Sequence, residues 1–267
     1  MQISIITINY NNKDGLRKTI ESVINQSYRD YEYIIIDGGS TDGSVKVIEQ
    51  YSDKIAFWVS EKDHGIYNAM NKGTKQAKGE YVLYLNSGDC LYDKHTLEVV
   101  SKNFGKDVLL GWRKTDKGII ETFNKNITAL SVFENGFFHQ SAYIKRELAL
   151  KYPYNEQRKI VSDWQFFFKS IILDDCTYEI IEAPLCLYDT SGISSTNTHE
   201  AFREKGELLK EMLPEKIYVD YQRFLRIDSP ILELIPEFYK YTNLHQLIYK
   251  INLYIVKLHK VLLKWKR

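Results

Sequence analysis

The chain has 267 residues, of which 44% are hydrophobic and 13% aromatic, and its formal net charge is +1. That length holds one large domain or two small ones with a substantial buried core, and the near-neutral charge excludes a global field that would draw nucleic acid. No stretch reaches the roughly 18 uninterrupted apolar residues of a membrane span, and Cys90, Cys176 and Cys186 lack metal-finger spacing, so they read as ordinary thiols of a reducing compartment.

Met1-Gln2-Ile3-Ser4 has no basic region and runs straight into an apolar, β-branched segment over 3–8, so no signal peptide is expected and the protein is expected to be cytoplasmic. That strand stops at Asn9-Tyr10-Asn11-Asn12. Leu16, Ile20, Val23 and Ile24 then recur at helical spacing, predicting an amphipathic helix over 13–26. A second strand over 31–36 stops at Asp37-Gly38-Gly39-Ser40-Thr41-Asp42-Gly43, and Val45, Val47, Ile48 and Tyr51 lie in the helix that follows. A third strand over 55–59 leads to Lys62-Asp63-His64-Gly65 and a helix opening near Ile66. The run 79–85, apolar after Gly79-Glu80, then ends abruptly in Asn86-Ser87-Gly88-Asp89. Strands alternating with helices of this length predict βαβ units and a parallel sheet. In such sheets ligands gather at the carboxyl ends of the strands, so Asp37, Asp63 and Asp89 are expected to line one crevice. For each of these acids the competing reading is turn or helix-cap chemistry.

These pieces carry a resemblance. Ser4-Ile5-Ile6-Thr7-Ile8-Asn9-Tyr10-Asn11, Ile36-Asp37-Gly38-Gly39-Ser40-Thr41-Asp42-Gly43-Ser44, Glu61 to Gly73, Gly79-Glu80-Tyr81 running into Asn86-Ser87-Gly88-Asp89, Phe138-His139-Gln140-Ser141 and Val161-Ser162-Asp163-Trp164 keep their order along residues 2–200. Together they resemble the inverting, nucleotide-sugar-dependent family-two glycosyltransferases of GT-A fold, most of all the bacterial branch that builds O-antigen, capsule and exopolysaccharide. The resemblance implies an α/β architecture with a Rossmann-like, mostly parallel nucleotide-binding half with helices on both faces. It implies a GT-A domain over 1–200 (donor half 1–92, acceptor half 93–200), with 201–267 as a helical C-terminal extension. The implied activity is transfer of a hexosyl or N-acetylhexosaminyl group from a UDP-sugar to a saccharide acceptor, lipid-linked in surface polysaccharide synthesis.

Residue by residue, the resemblance places base and ribose contacts at Thr7, Asn9 and Tyr10, with Tyr10 as stacking partner, and a uracil-reading carboxylate at Asp37. Asp63 and Gly65 are expected at base or ribose, and Asn71 at the donor or as a fastener of its loop. Asn86 and Ser87 are expected as donor contacts. Mn²⁺ or Mg²⁺ would be held by Asp89, alone because the family's Asp-x-Asp is reduced here to Asn86 and Asp89; one carboxylate suffices when substrate phosphates complete the shell. Asp163 takes the place of the catalytic base, with Ser162 where the family commonly has Glu, and flanking aromatics are expected to raise its pKa. His139 and Trp164 are expected on the acceptor side. His199 belongs to the polar run 189–199, whose composition suits a mobile lid.

Beyond residue 200 a charged helix should be stopped by Pro214. Residues 244–267 place Leu247, Ile251, Tyr254, Leu258, Val261, Leu262 and Trp265 at helical spacing, with six Lys or Arg and no acid. Such a helix can lie on an anionic membrane surface, peripheral on the cytoplasmic face of the inner membrane, or pack on the core or on a second subunit as a homodimer. Two rivals to transfer are a sugar nucleotidyltransferase and a sugar- or nucleotide-binding module without chemistry. Asn9-Tyr10-Asn11-Asn12-Lys13 argues against the first, which needs a glycine-rich basic loop there.

Overall fold

A computed structural model describes residues 1–123, 125–191 and 198–225. The chain divides into two units, Met1–Leu208 and Leu209–Arg267.

In the first unit, β1 (Ile3–Asn9), β2 (Tyr31–Asp37), β3 (Phe57–Ser60) and β4 (Tyr81–Tyr84) are joined by α1 (Lys13–Ile24), α2 (Ser44–Gln50) and α3 (Ile66–Gln76). The four strands pair in parallel in the order β3-β2-β1-β4. After β4 come β5 (Cys90–Leu91), α4 (Thr96–Ser101), β6 (Val108–Thr115), β7 (Ile120–Glu121), α5 (Ala129–Asn135), β8 (Ala142–Lys145), α6 (Arg146–Lys151), α7 (Ser162–Phe167) and β9 (Tyr178–Tyr188). β8 runs antiparallel to both β4 and β6, while β9 runs parallel to β6. The result is one mixed sheet, parallel in its first half and extended by a second half of mixed direction.

Strand periodicity explains why this sheet is buried on both sides. Ile3, Ile5, Tyr33 and Ile35 face one way, onto Leu16, Ile20 and Val23 of α1 and Val47 and Ile48 of α2. Ile6, Ile8, Ile34 and Ile36 face the other way, onto Tyr67, Ala69 and Met70 of α3, with Phe166 and Phe167 in the same cluster. Each such side chain contributes about 1.5–3 kcal/mol by leaving water. At the start of the strands a buried carboxylate closes the turn before β4. Glu32 accepts from Ser4 Oγ at 2.6 Å, from the Lys78 amide at 2.5 Å and from the Gly79 amide at 3.2 Å.

α8 covers Thr198–Met212, and α9 (Glu215–Leu225) follows Pro214. Residues 244–267 lie outside the described residues.

Candidate active site

The carboxyl ends of β1, β2 and β4 bring the polar strand tips together, because β1 pairs in register with both neighbours. Asn9 faces Asp37 across that register and donates to its Oδ1 at 2.7 Å. Ser40 adds a hydroxyl at 2.6 Å and its amide at 2.9 Å, and Ser60 adds a hydroxyl at 2.6 Å. Burial alone would push the Asp37 carboxyl up, but the donors from Ser40, Ser60 and Asn9 outweigh it and hold the group below the usual carboxylate range. Asp37 is fully buried with both oxygens occupied. In this arrangement the Asp37 carboxylate shapes the 38–40 loop.

That loop makes a cradle at Gly38. A methyl group there would fall 2.7 Å from Asp63 Oδ2 and 3.2 Å from the Tyr10 ring. Tyr10 is 68% exposed. Asp63 Oδ1 accepts the Gly65 amide at 2.9 Å, an Asx turn that leaves Oδ2 aimed at Gly38. Gly65 has φ 108° and opens α3 without a side-chain cap. Thr7 is buried and bonded to the Tyr33 hydroxyl at 2.9 Å. Asn71 is also buried; its amide takes the Tyr154 amide at 2.9 Å and donates to the Tyr154 carbonyl and Glu156 at 2.8 and 2.9 Å. It fastens the 154–156 loop.

The tip of β4 holds the second group of acids. Gly88, at φ 108°, turns the chain so tightly that a methyl group would meet Asp189 Oδ2 at 2.9 Å. Asn12 fastens the Ser87 carbonyl at 3.0 Å, and Thr19 accepts the Gly88 amide and donates to the Asp89 carbonyl. Asp89 is 4% exposed. Its Oδ1 accepts the Asp189 amide at 2.9 Å. Burial dominates and pushes its carboxyl up to about 7, with the neighbouring Asp189 charge adding to the rise. Among the described residues, no group of three or more His, Cys, Asp or Glu is arranged to hold a metal ion. Asp89 is a buried carboxylate beside Asp189, and the buried Asn86 Oδ1 has no partner. A divalent cation carrying substrate phosphates fits that donor set.

From Asn86 a chain of hydrogen bonds leads to the start of α7. Asn86 Nδ2 lies 3.3 Å from His139 Nε2, and His139 Nδ1 lies 2.8 Å from Asp163 Oδ2. Asp163 can only accept when ionised, so its bond with His139 is donated by the His139 Nδ1–H. The Tyr67 hydroxyl, 3.1 Å from Asp163 Oδ1, serves the other oxygen. Burial raises the Asp163 carboxyl, yet the bond and charge of His139 prevail and hold it below the ordinary value. The expected rise in its pKa is thus reversed, because a donor rather than an apolar wall faces the carboxylate.

Trp164 is corrected as well. Its ring is 3% exposed, stacked on Phe168 at 5.0 Å and bonded through Nε1 to the Val132 carbonyl at 2.9 Å. It is a core residue with no free face for a sugar. The side chain of His199 and residues 192–197 lie outside the described residues.

Asp189, which opens the polar run 189–199, enters the site at Asp89, and Tyr67 and Arg113 join without having been read as site residues. Arg113 packs between Phe138 and Tyr188, 4.1 and 4.0 Å from the ring centres, and is paired with Glu121. Tyr67 lies inside a recognised motif; for Asp189 the partner is 100 positions away and leaves no local signal.

The half-parallel sheet thus gathers carboxylates at its strand ends, with a histidine-bonded aspartate beside them. The model of the family "Glycosyl transferase family 2" matches residues 4–172, and the chain belongs to that family. It is 31% identical over 224 residues to an uncharacterized glycosyltransferase of Mycobacterium tuberculosis, covering 77% of this chain and 83% of that one. It is 29% identical over 193 residues to the cholesterol galactosyltransferase of Borreliella burgdorferi, covering 62% of this chain and 54% of that one. Among solved structures, S. aureus TarS 1-349 in complex with UDP-GlcNAc superimposes with a TM-score of 0.67 at 22% identity, over 82% of this chain and 69% of that one. The mannosyltransferase PcManGT from Pyrobaculum calidifontis, in complex with GDP-Man and Mn²⁺, gives 0.61 at 14% identity, over 96% and 80%. Another S. aureus TarS structure has a longer chain, of which the match covers 41%.

Proposed function

We propose that this glycosyltransferase moves a hexosyl or N-acetylhexosaminyl group from a UDP-sugar to a saccharide acceptor by a single inverting displacement. The observation that carries the reading is the chain Asn86–His139–Asp163, which ties the donor edge of β4 to one ionised carboxylate on the acceptor side. Asp163 accepts the proton of the acceptor hydroxyl as its oxygen bonds to the anomeric carbon. The bond from that carbon to the phosphate oxygen breaks on the opposite face, and UDP leaves with the electron pair. His139 keeps Asp163 ionised and aimed. Asp163 therefore works as a positioned base at neutral pH without a raised pKa.

On the donor side, Tyr10 stacks on the base, and Asp63 Oδ2, beside Gly38, accepts the imide N–H that uracil offers. Asn9 and Asp37 hold the floor of that slot, with Thr7 behind it; Asn86 and Ser87 border the ribose and phosphates. Mg²⁺ or Mn²⁺, held by Asp89 with Asp189 beside it, would neutralise the leaving pyrophosphate. Support for a UDP-sugar comes from the neighbour bound to UDP-GlcNAc, and support for Mn²⁺ from the neighbour bound to GDP-Man and Mn²⁺.

The acceptor is proposed to be lipid-linked, in bacterial surface polysaccharide synthesis. The relative named a cholesterol galactosyltransferase has a lipid in its name. The basic, Trp-ended segment 244–267 suits a peripheral site on an anionic cytoplasmic surface. No helix among the described residues is long and apolar enough to cross a membrane. Release of UDP from a panel of UDP-sugars, with and without acceptor and Mn²⁺, tests the reading. Failure of every UDP-sugar, alongside turnover of a GDP-sugar, would overturn the donor assignment.

A further inference from the structure

The molecule contains a second buried carboxylate that transfer itself does not use. Glu204 lies on α8 and is 4% exposed. Its Oε1 accepts the Lys159 amide at 3.0 Å, and its Oε2 accepts the amides of Ile160 at 3.1 Å and Val161 at 3.3 Å. Three consecutive backbone donors thus converge on one carboxylate, the arrangement that makes a buried charge tolerable. Val161 is the N-cap of α7 and supplies no side-chain cap. Two residues later comes Asp163.

We propose that Glu204 is a positioning residue for Asp163, holding the strap 159–161 so that α7 starts at one fixed place with Asp163 in line for the acceptor. The Ile160 peptide is gripped at both ends. Glu204 takes its N–H, while its carbonyl accepts the Tyr67 hydroxyl at 2.5 Å. That same hydroxyl reaches Asp163 Oδ1 at 3.1 Å, so strap and base share one anchor. One turn further along α8, Glu207 pairs with Arg158 at 2.8 Å, beside the strap. Releasing the strap moves Asp163 relative to His139 and Tyr67 together. A displacement of about 1 Å in catalytic geometry costs about 10²-fold.

The proposal rests on Asp163 being the base, and its test separates the two ideas. Glu32 provides the control: it is another buried carboxylate accepting backbone amides, but it sits at the start of the strands. Glu204→Ala should lower kcat about 10–100-fold with UDP Kd within twofold of wild type. Glu204→Gln, whose carbonyl oxygen can still take the Ile160 and Val161 amides, should fall between Glu204→Ala and wild type. Glu32→Ala should lose thermal stability yet keep kcat, all measured at a temperature where each variant is folded. In an Asp163→Asn background, Glu204→Ala should cost little further. Should Glu204→Ala prove unfolded, hydrogen exchange of the intact wild type decides instead: the amides of 159–161 should be protected to the same degree as those of α8. A folded Glu204→Ala with wild-type kcat overturns the proposal. So does an equal loss of kcat in Glu32→Ala, or unprotected amides at 159–161. Near-normal transfer by Asp163→Asn would instead overturn the base assignment itself.

Discussion

Asp89→Asn should stabilise the metal-free protein while abolishing its chemistry. The Asp89 carboxyl rises from an ordinary value of 3.8 to about 7 because burial disfavours its charged form. Between pH 3.8 and 7 the native state therefore binds more protons than the unfolded chain, and stability falls as pH rises through that window. Above pH 7 the whole penalty is present. A separation of about three pH units corresponds to at most about 4 kcal/mol. An asparagine carbonyl can still accept the Asp189 amide, so the substitution removes the charge without removing that bond. For a unit of this size each kcal/mol moves Tm by about 2–4 °C. In EDTA at pH 8, Asp89→Asn should melt several degrees above wild type. At pH 5, where Asp89 is mostly protonated, the gap should shrink. Adding Mn²⁺ on top of UDP should raise the wild-type Tm further and give the variant no rise beyond that of UDP alone. Melting curves with an equal or lower Tm for the variant at pH 8 would refute the reasoning, because the carboxylate would then be charged and well paired.

Asp163→Asn should lower transfer by about 10²–10⁴-fold with UDP affinity nearly unchanged, read by steady-state kinetics beside calorimetry. Asp63→Ala should weaken UDP binding equally in EDTA and in Mn²⁺, whereas Asp89→Ala should weaken it only with metal; equal losses under both conditions would contradict this division. Gly88→Ala forces a side chain into positive φ and 2.9 Å from Asp189, so it should weaken donor binding with a loss of thermal stability. Removal of residues 244–267 should abolish binding to anionic vesicles and spare UDP release to a soluble acceptor analogue; an intact protein that ignores such vesicles would refute the membrane assignment.

Local pattern in the sequence was enough for the alternation of strands and helices, because hydrophobic period and strand-end polarity are written within a few residues. The apolar runs at 3–8, 31–36 and 79–85 lie close to β1, β2 and β4, and Asn9, Asp37 and Asn86 were legible as strand tips. Asp163 was legible because a carboxylate opens an apolar helix within a recognisable run. What those carboxylates do was decided elsewhere. The donors that hold Asp37 ionised, Ser40, Ser60 and Asn9, could not be read from its own run, since Ser60 is 23 positions away. The pKa of Asp163 depends on His139, 24 positions earlier, and Asp89 meets Asp189 across 100 positions. Trp164 and Asp163 are neighbours in sequence, yet helical geometry turns one into the core and leaves the other at the site. Sequence carries residue type and period, so it determined the elements and the chemistry available at their ends. Charge state, accessibility and aim depend on which distant donors arrive beside a carboxylate, and only tertiary packing brings them there.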